Sequence, residues 1–238
     1  MMEALIFDCD GVLVDTEKDG HRVAFNRAFE LFALPVRWDV ELYGELLAVS
    51  GGKERMRHYF QQEGWPEQAK DRDQFIRDLH RVKTTRYMEI IEGGRLPLRS
   101  GVKRLVDEAI RDGTTLAVCS TSNQRAVKAV VRELLGAERM NEFAAILAGD
   151  VVSNKKPDPE IYNLAKQRLG LGGSQCMVVE DSRNGLLAAK AAGMNCVITT
   201  STYTVDEDFS EADAVYDALG DPPGECVTLE DLKALCTN

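Results

Sequence analysis

Short, wholly apolar runs alternate with amphipathic stretches through the second half of the chain, and one such run stands apart near the start. Ala4-Leu5-Ile6-Phe7 reads as a buried strand. After residue 98, Val102, Leu105, Val106, Ala109 and Ile110 follow the i, i+3, i+4, i+7, i+8 spacing of an amphipathic helix, which Gly113 ends. Thr115-Leu116-Ala117-Val118-Cys119 is predicted as a strand, followed by a helix with Ala126, Val127, Val130, Val131 and Leu134 inward. Ala144 to Ala148 is predicted as a strand. Asp158 is expected to cap a helix with Pro159 in its first turn and Ile161, Ala165 and Leu169 facing the core. Met177-Val178-Val179 and Cys196-Val197-Ile198 complete the strands, with a helix carrying Leu186, Leu187, Ala189 and Lys190 between them. Such alternation predicts an α/β fold with a doubly wound, Rossmann-like parallel sheet.

Residues 20 to 92 carry a different pattern. Phe25, Ala28, Phe29 and Phe32 form one helical stripe, Met56, Tyr59 and Phe60 a second, and Phe75, Leu79 and Val82 a third. No buried strand is evident there. An inserted all-helical cap domain over residues 15–98 is therefore expected, with a core built from 1–14 and 99–238. Its boundaries fall near Val14-Asp15 and around Gly93 to Ser100, where glycines and Pro97 interrupt the periodicity. Trp38 and Trp65 are expected to pack the cap, and His58 and His80 to lie at the surface. The charged stretch from Glu67 to Arg86 reads as a solvated helix face.

The net charge of −10 argues against nucleic acid or an anionic membrane as a partner. No apolar run is long enough to span a bilayer, and no targeting leader is evident. The six cysteines form no Cys-x-x-Cys pair, so neither a zinc site nor a redox dithiol is indicated. Cys9, Cys119, Cys176 and Cys196 read as small core residues in a reducing compartment.

The chemistry gathers where the predicted strands end. Asp8 and Asp10 follow the first, one residue apart, so an extended backbone points both to one side. Carboxylates that close need a cation or a proton between them. Ser120, Thr121, Ser122 and Asn123 follow the second strand, and they also suit a helix cap. Lys155, Lys156 and Pro157 follow the third, and Glu180 and Asp181 the fourth. Ligands of doubly wound sheets bind beyond these carboxyl ends. A hard divalent ion and a phosphoryl group match this donor set.

Asp8-x-Asp10-Gly11-Val12, Ser120, Lys156-Pro157 and Glu180-Asp181 resemble, in order, the four motifs of the haloacid-dehalogenase-like hydrolases. The resemblance spans essentially the whole chain. It implies that Asp8 is a nucleophile, that Asp10 is an acid/base, and that Ser120 and Lys156 grip the transferring group. It further implies Mg²⁺ held by Asp8, the backbone carbonyl of Asp10, Asp181 and Glu180. The dehalogenating branch lacks the second aspartate, which disfavours carbon–halogen cleavage here.

The insert narrows the resemblance. Asp15-Thr16-Glu17, Trp38-Asp39, Tyr43-Gly44-Glu45 and Gly51-Gly52-Lys53-Glu54-Arg55 are similar to the CbbY-type sugar bisphosphatases, plant and algal forms above all. That implies a small sugar bisphosphate, xylulose 1,5-bisphosphate, as substrate, and a monomer in the cytoplasm or chloroplast stroma. Ser50, Gly51, Gly52, Lys53 and Glu54 would bind its distal phosphate, with Thr121, Ser122 and Asn123 also on the substrate. Glu17 and His21 would contact sugar hydroxyls or help position Asp10, although His21 reads equally as a hinge or core residue. Against some bacterial members, one extra residue separates Glu17 from His21. Lys83 is a weaker phosphate candidate. Two other readings are a β-phosphoglucomutase-type isomerase and a non-catalytic phosphosugar-binding protein.

Overall fold

The computed structural model describes residues 1–93 and 96–236. The chain divides into two compact units, Met1–Asp15 with Pro97–Asn238, and Thr16–Leu96. Gly94 and Arg95, inside the second expected boundary, lie outside the described residues.

The strand β1 (Ala4–Phe7) is buried at all four residues. The helices α1 (Arg22–Leu31), α2 (Val40–Leu46), α3 (Gly52–Glu63) and α4 (Arg72–Glu92) follow, and no strand occurs among the described residues of this unit. The chain then continues through α5 (Val102–Asp112), β2 (Thr115–Ser120), α6 (Gln124–Val130), α7 (Ala137–Asn141) and β3 (Phe143–Ala148). It ends with α8 (Glu160–Leu169), β4 (Cys176–Glu180), α9 (Arg183–Ala191), β5 (Asn195–Thr199), β6 (Ala214–Tyr216) and α10 (Leu229–Leu235).

The six strands form one parallel sheet in the order β3-β2-β1-β4-β5-β6. The order reverses between β1 and β4, which is where such sheets open a ligand crevice. Phe7 is in register with Val118 of β2 and Val179 of β4. The next residue on each strand is therefore Asp8, Cys119 or Glu180, and this register decides where the polar side chains meet. Ala4, Ile6, Ala117, Cys119, Val178 and Ile198 pack on one face against Ile161, Tyr162, Leu186 and Ala189. Both faces of the central strands are covered, so they read as continuous apolar runs.

Local differences from the sequence reading have simple causes. After α6 the chain continues in a wider turn over Val131–Leu135, which shifts the inward stripe and buries Leu135 in place of Leu134. The helix α8 starts at Glu160, and Asp158 Oδ1 accepts the Glu160 amide at 2.9 Å, so Pro159 precedes the first turn. The short edge strand β6 and the helices α7 and α10 carry too little apolar periodicity to be predicted.

The helical unit packs around Trp38, which is fully buried against Phe25 and Phe29 at ring separations of 4.8 and 4.9 Å. Asn26 satisfies the Trp38 backbone at both ends: its amide reaches the carbonyl at 2.7 Å and its Oδ1 accepts the N–H at 2.8 Å. Trp65 is half-buried, in ring contact with Phe60. His58 and His80 are half-buried, and a Cβ on Gly52 would press on the His80 ring. Along α4 the inward stripe runs Phe75, Ile76, Leu79, Lys83 and Tyr87, with Val82 only half-buried. The stretch read as a solvated face thus contains a buried lysine.

Among the described residues, no helix is long and apolar enough to cross a membrane. Cys9, Cys119, Cys176 and Cys196 are buried free thiols, as expected.

Truncating Trp38 to alanine removes the centre of the aromatic cluster. The expected loss is about 3–5 kcal/mol of stability by urea unfolding; a loss below about 1 kcal/mol would show that Trp38 is not its keystone.

Candidate active site

The side chain of Lys156 occupies the point where β2, β1 and β4 end. Its Nζ donates to Asp8 Oδ1 at 2.6 Å, to the Cys119 carbonyl at 2.9 Å and to Glu180 Oε1 at 2.5 Å. All three ammonium protons are thereby used. Lys156, Asp8 and Glu180 are only 5, 7 and 1 % exposed. Burial pulls the lysine toward neutrality, but Asp8 and Glu180 together outweigh it and keep the ammonium charged.

Glu180 is held from several sides. The Tyr162 hydroxyl also donates to Oε1, at 2.5 Å, and the Asp181 amide reaches Oε2 at 3.2 Å. Gly185, on α9, lies so close that a Cβ there would collide with the Glu180 carboxylate. Gly11 plays the same part for Asp181: it has φ +84°, and a Cβ there would strike that carboxylate.

Asp8, Glu180 and Asp181 bring carboxylate oxygens within 4.8 Å of one another, all in buried side chains. One ammonium cannot balance three carboxylates. Burial, with Glu180 and Asp10 nearby, accordingly pushes Asp8 from 3.8 up to about 8 in spite of Lys156. A compact set of oxygen donors with surplus negative charge fits a hard divalent cation such as Mg²⁺.

Asp10 has different surroundings. It is half-exposed, and the Ser122 hydroxyl donates to its Oδ2. Ser120 is buried, and its Oγ accepts the Ser122 amide at 3.0 Å. Asn123 caps α6 by accepting the Arg125 amide at 3.0 Å, and Thr121 is half-exposed beside it.

The helical unit contains a second polar group. Tyr43 donates its hydroxyl to Glu17 Oε2 and accepts from Arg55 Nη1 at 2.8 Å. Arg55 also reaches the carbonyls of Leu46 and Val49, so it ties down the segment entering the Ser50–Glu54 loop. Gly51 has φ +93°, and the Glu54 carboxylate folds back against it, while Ser50 and Lys53 are half-buried. His21 is buried, stacked on Tyr87 at 4.0 Å, with Lys83 Nζ 2.5 Å from its Nδ1. Glu17 and His21 bracket a turn in which Gly20 N and His21 N both reach the Thr16 carbonyl, at 2.9 and 2.7 Å. This i→i+5 turn absorbs one residue more than a regular helix.

Residues 2–193 match the family model of haloacid dehalogenase-like hydrolases. The CBBY-like protein of Arabidopsis thaliana is 60 % identical, over 93 % of this chain and 70 % of its own length.

The chain belongs to the haloacid dehalogenase-like hydrolases.

Within these hydrolases it is similar to the protein CbbY of Cupriavidus necator, 41 % identical over 98 % of this chain and 95 % of that one. The crystal structure of a CbbY mutant from Rhodobacter sphaeroides in complex with xylulose 1,5-bisphosphate superposes with a TM-score of 0.89. That structure is 39 % identical and covers 98 % of this chain and 99 % of its own.

Read as a member of this family, the sheet unit brings together Asp8, Lys156, Glu180 and Asp181, and joins Asp10 to Ser122. In the helical unit Glu17 joins Tyr43 and Arg55, while His21 sits separately with Lys83 and Tyr87. Sequence reasoning missed Tyr162, which reads as an ordinary core aromatic until its hydroxyl is placed on Glu180. It also missed Tyr43 and Arg55 as the partners of Glu17.

A pH dependence follows from Asp8. The folded protein retains a proton on Asp8 that the unfolded chain releases, so this contribution is fully present below about 4 and is lost as pH rises toward about 8. In the metal-free protein, the melting temperature of Asp8→Asn should therefore gain on wild type as pH rises through that window. Added Mg²⁺, which favours the carboxylate, should stabilise wild type selectively and cancel the gain. Parallel melting curves at every pH would count against the proton on Asp8.

Proposed function

We propose that this chain is a Mg²⁺-dependent phosphatase of a small sugar bisphosphate, with xylulose 1,5-bisphosphate as the substrate. The observation that carries the reading is the buried Asp8 carboxylate fixed by Lys156, with Asp181 and Glu180 within 4.8 Å. The likeness to a CbbY structure holding that bisphosphate supports the choice of substrate.

In this reading Asp8, Asp181, the Asp10 carbonyl and Glu180 would hold Mg²⁺, with Glu180 contributing what its bonds to Lys156 and Tyr162 leave free. The cation supplies positive charge that lets an anionic nucleophile meet an anionic phosphate. Lys156 fixes one oxygen of Asp8 and helps neutralise the transferring group. Asp8 forms the new bond to phosphorus as the ester oxygen leaves, and Asp10 gives that oxygen a proton. Asp10 then takes a proton from water as the water attacks phosphorus, releasing phosphate and restoring Asp8. Its half-exposed position, steered by Ser122, suits a group that exchanges protons with water. Ser120, Thr121 and Asn123 are proposed on the phosphoryl side. Ser50, Gly51, Gly52, Lys53 and Glu54 are proposed to bind the second phosphate, and Glu17 and His21 to act on the sugar.

Phosphate release should be measured over a panel of sugar phosphates with Mg²⁺. Xylulose 1,5-bisphosphate should exceed simple monophosphates in kcat/KM, and equal values would sink the substrate assignment. Formation of glucose 6-phosphate from β-glucose 1-phosphate without free phosphate would point to a mutase instead. Asp8→Asn should lower kcat by about 10⁴-fold or more. Lys53→Ala should raise KM for the bisphosphate by about 10- to 100-fold, the worth of one charged hydrogen bond. A generic phosphate ester should be spared, and an equal effect on both would remove Lys53 from the second phosphate.

A further inference from the structure

We propose that Arg99 is a positioning residue of the divalent-cation site, acting through the backbone on either side of Gly11. This rests on the metal reading proposed above. Arg99 lies three residues beyond the helical unit and belongs to the sheet unit. Its Nη1 donates to the Gly11 carbonyl and, at 3.2 Å, to the Thr199 carbonyl. Its Nη2 donates to the carbonyls of Thr200 at 2.5 Å and Asp217 at 2.9 Å. One guanidinium thus gathers the segments leaving β1, β5 and β6. The Arg99 amide adds a bond to the Leu13 carbonyl at 2.9 Å.

The consequence for the site runs through Gly11. The Gly11 amide donates to the Val14 carbonyl at 2.8 Å, which fixes the peptide carrying the Asp10 carbonyl. Arg99 fixes the next peptide by its oxygen. Both peptide planes flanking Gly11 are therefore pinned, and the direction of the Asp10 carbonyl is set. Gly11 also abuts the Asp181 carboxylate so closely that no Cβ fits between them. A displaced Gly11 backbone would reach the cation donors from two directions, by turning the Asp10 carbonyl and by opening the gap to Asp181. Asp181 and Asp15 lie within electrostatic reach of the guanidinium; that positive charge by itself opposes a cation, so the support proposed here is positional and comes from the backbone bonds. Lysine cannot replace it: a single ammonium has no planar fork with which to span carbonyls from three segments.

Arg104 provides an internal comparison. Its Nη2 donates to the carbonyls of Leu219, Gly220 and Val227 at 3.0, 2.7 and 3.1 Å, and Nη1 pairs with Glu108 at 2.8 Å. It is a carbonyl clamp of the same kind with no partner in the cation site. The experiment is Mn²⁺ titration by calorimetry on full-length wild type, Arg99→Lys, Arg99→Gln and Arg104→Lys, without substrate, alongside melting temperatures. Both Arg99 variants should bind Mn²⁺ at least about tenfold more weakly, a change of about 1.4 kcal/mol. Arg104→Lys should melt earlier yet bind Mn²⁺ within about twofold of wild type. Saturating Mg²⁺ should also return much of the lost kcat in Arg99→Lys, which a general loosening of the fold would not allow. Undiminished Mn²⁺ affinity in the Arg99 variants, or an equal loss in Arg104→Lys, would overturn the proposal and leave the metal site standing. Failure of both Arg99 variants to fold would reduce Arg99 to a structural clamp and overturn it likewise. A wild type that takes up no Mn²⁺ would overturn the metal reading itself.

Discussion

The three bonds of the buried Lys156 ammonium are the interaction on which the sheet unit depends. A lone charge at that depth would be costly, and the buried Asp8 and Glu180 carboxylates need the ammonium in turn. Asp8, the Cys119 carbonyl and Glu180 stand on three adjacent strands at the same level of the sheet. Any slip of β1 against β2 or β4 would separate the lysine from at least one of them. Breaking a buried pair of this kind typically costs about 3–5 kcal/mol, because the surviving partner keeps its desolvation penalty. The polar cluster therefore locks the register of the sheet as well as forming a site. It does not neutralise itself, however: burial first, and the Glu180 and Asp10 charges after it, raise the proton affinity of Asp8 in spite of Lys156.

A second cation completes the frame along the same edge. Lys156 joins β2, β1 and β4 mainly through carboxylates, whereas Arg99 joins the segments after β1, β5 and β6 through carbonyls. The two chemistries suit their positions. A compact ammonium matches three oxygens around one point, and a planar guanidinium matches carbonyls spread over several segments. The loop from Asp8 to Val14 is held by both. Glycines at 11 and 185 supply the remaining tolerance, since each leaves room for a carboxylate where any larger residue would displace it.

Much of this was legible in the sequence, and the reason is physical. Strands buried on both faces must be apolar throughout, so their ends are easily located, and the chemistry of a doubly wound sheet lies at those ends. That rule points to Asp8, to the Lys155-Lys156 pair and to Glu180 and Asp181, while the choice of Lys156 over Lys155 comes from the family resemblance. The residues that escaped are those whose role depends on a partner remote in sequence. Tyr162 looks like core until its hydroxyl is seen on Glu180. Lys83 reads as a phosphate candidate, but its burial in a charged stretch does not show in the sequence: its Nζ lies 2.5 Å from Nδ1 of His21, 62 positions earlier, with the Phe25 and Tyr87 rings at 4.6 and 5.0 Å. Arg99 adjoins a loop and looks solvated, yet its carbonyl partners lie up to 118 positions away. Carbonyl acceptors leave no trace in side-chain patterns, so an arginine clamp of this type is hard to read without coordinates.

The contrast between Asp8 and Asp10 bears on the two roles proposed for one short segment. The residues are chemically identical and two positions apart, so only their surroundings distinguish them. Asp8 is buried and directed by an ammonium, which fixes one oxygen and denies the group easy exchange with water. Asp10 lies beyond the last paired strand residue, where Gly11 bends the chain; it is half-exposed and directed by a neutral hydroxyl. A nucleophile needs a fixed position and a depleted hydration shell. An acid/base that serves first a leaving oxygen and then a water needs access and a partner that does not hold it in one protonation state. The proposed division of labour is the one these two environments favour, and exchanging the roles would ask the better-solvated group to attack and the enclosed one to trade protons with solvent.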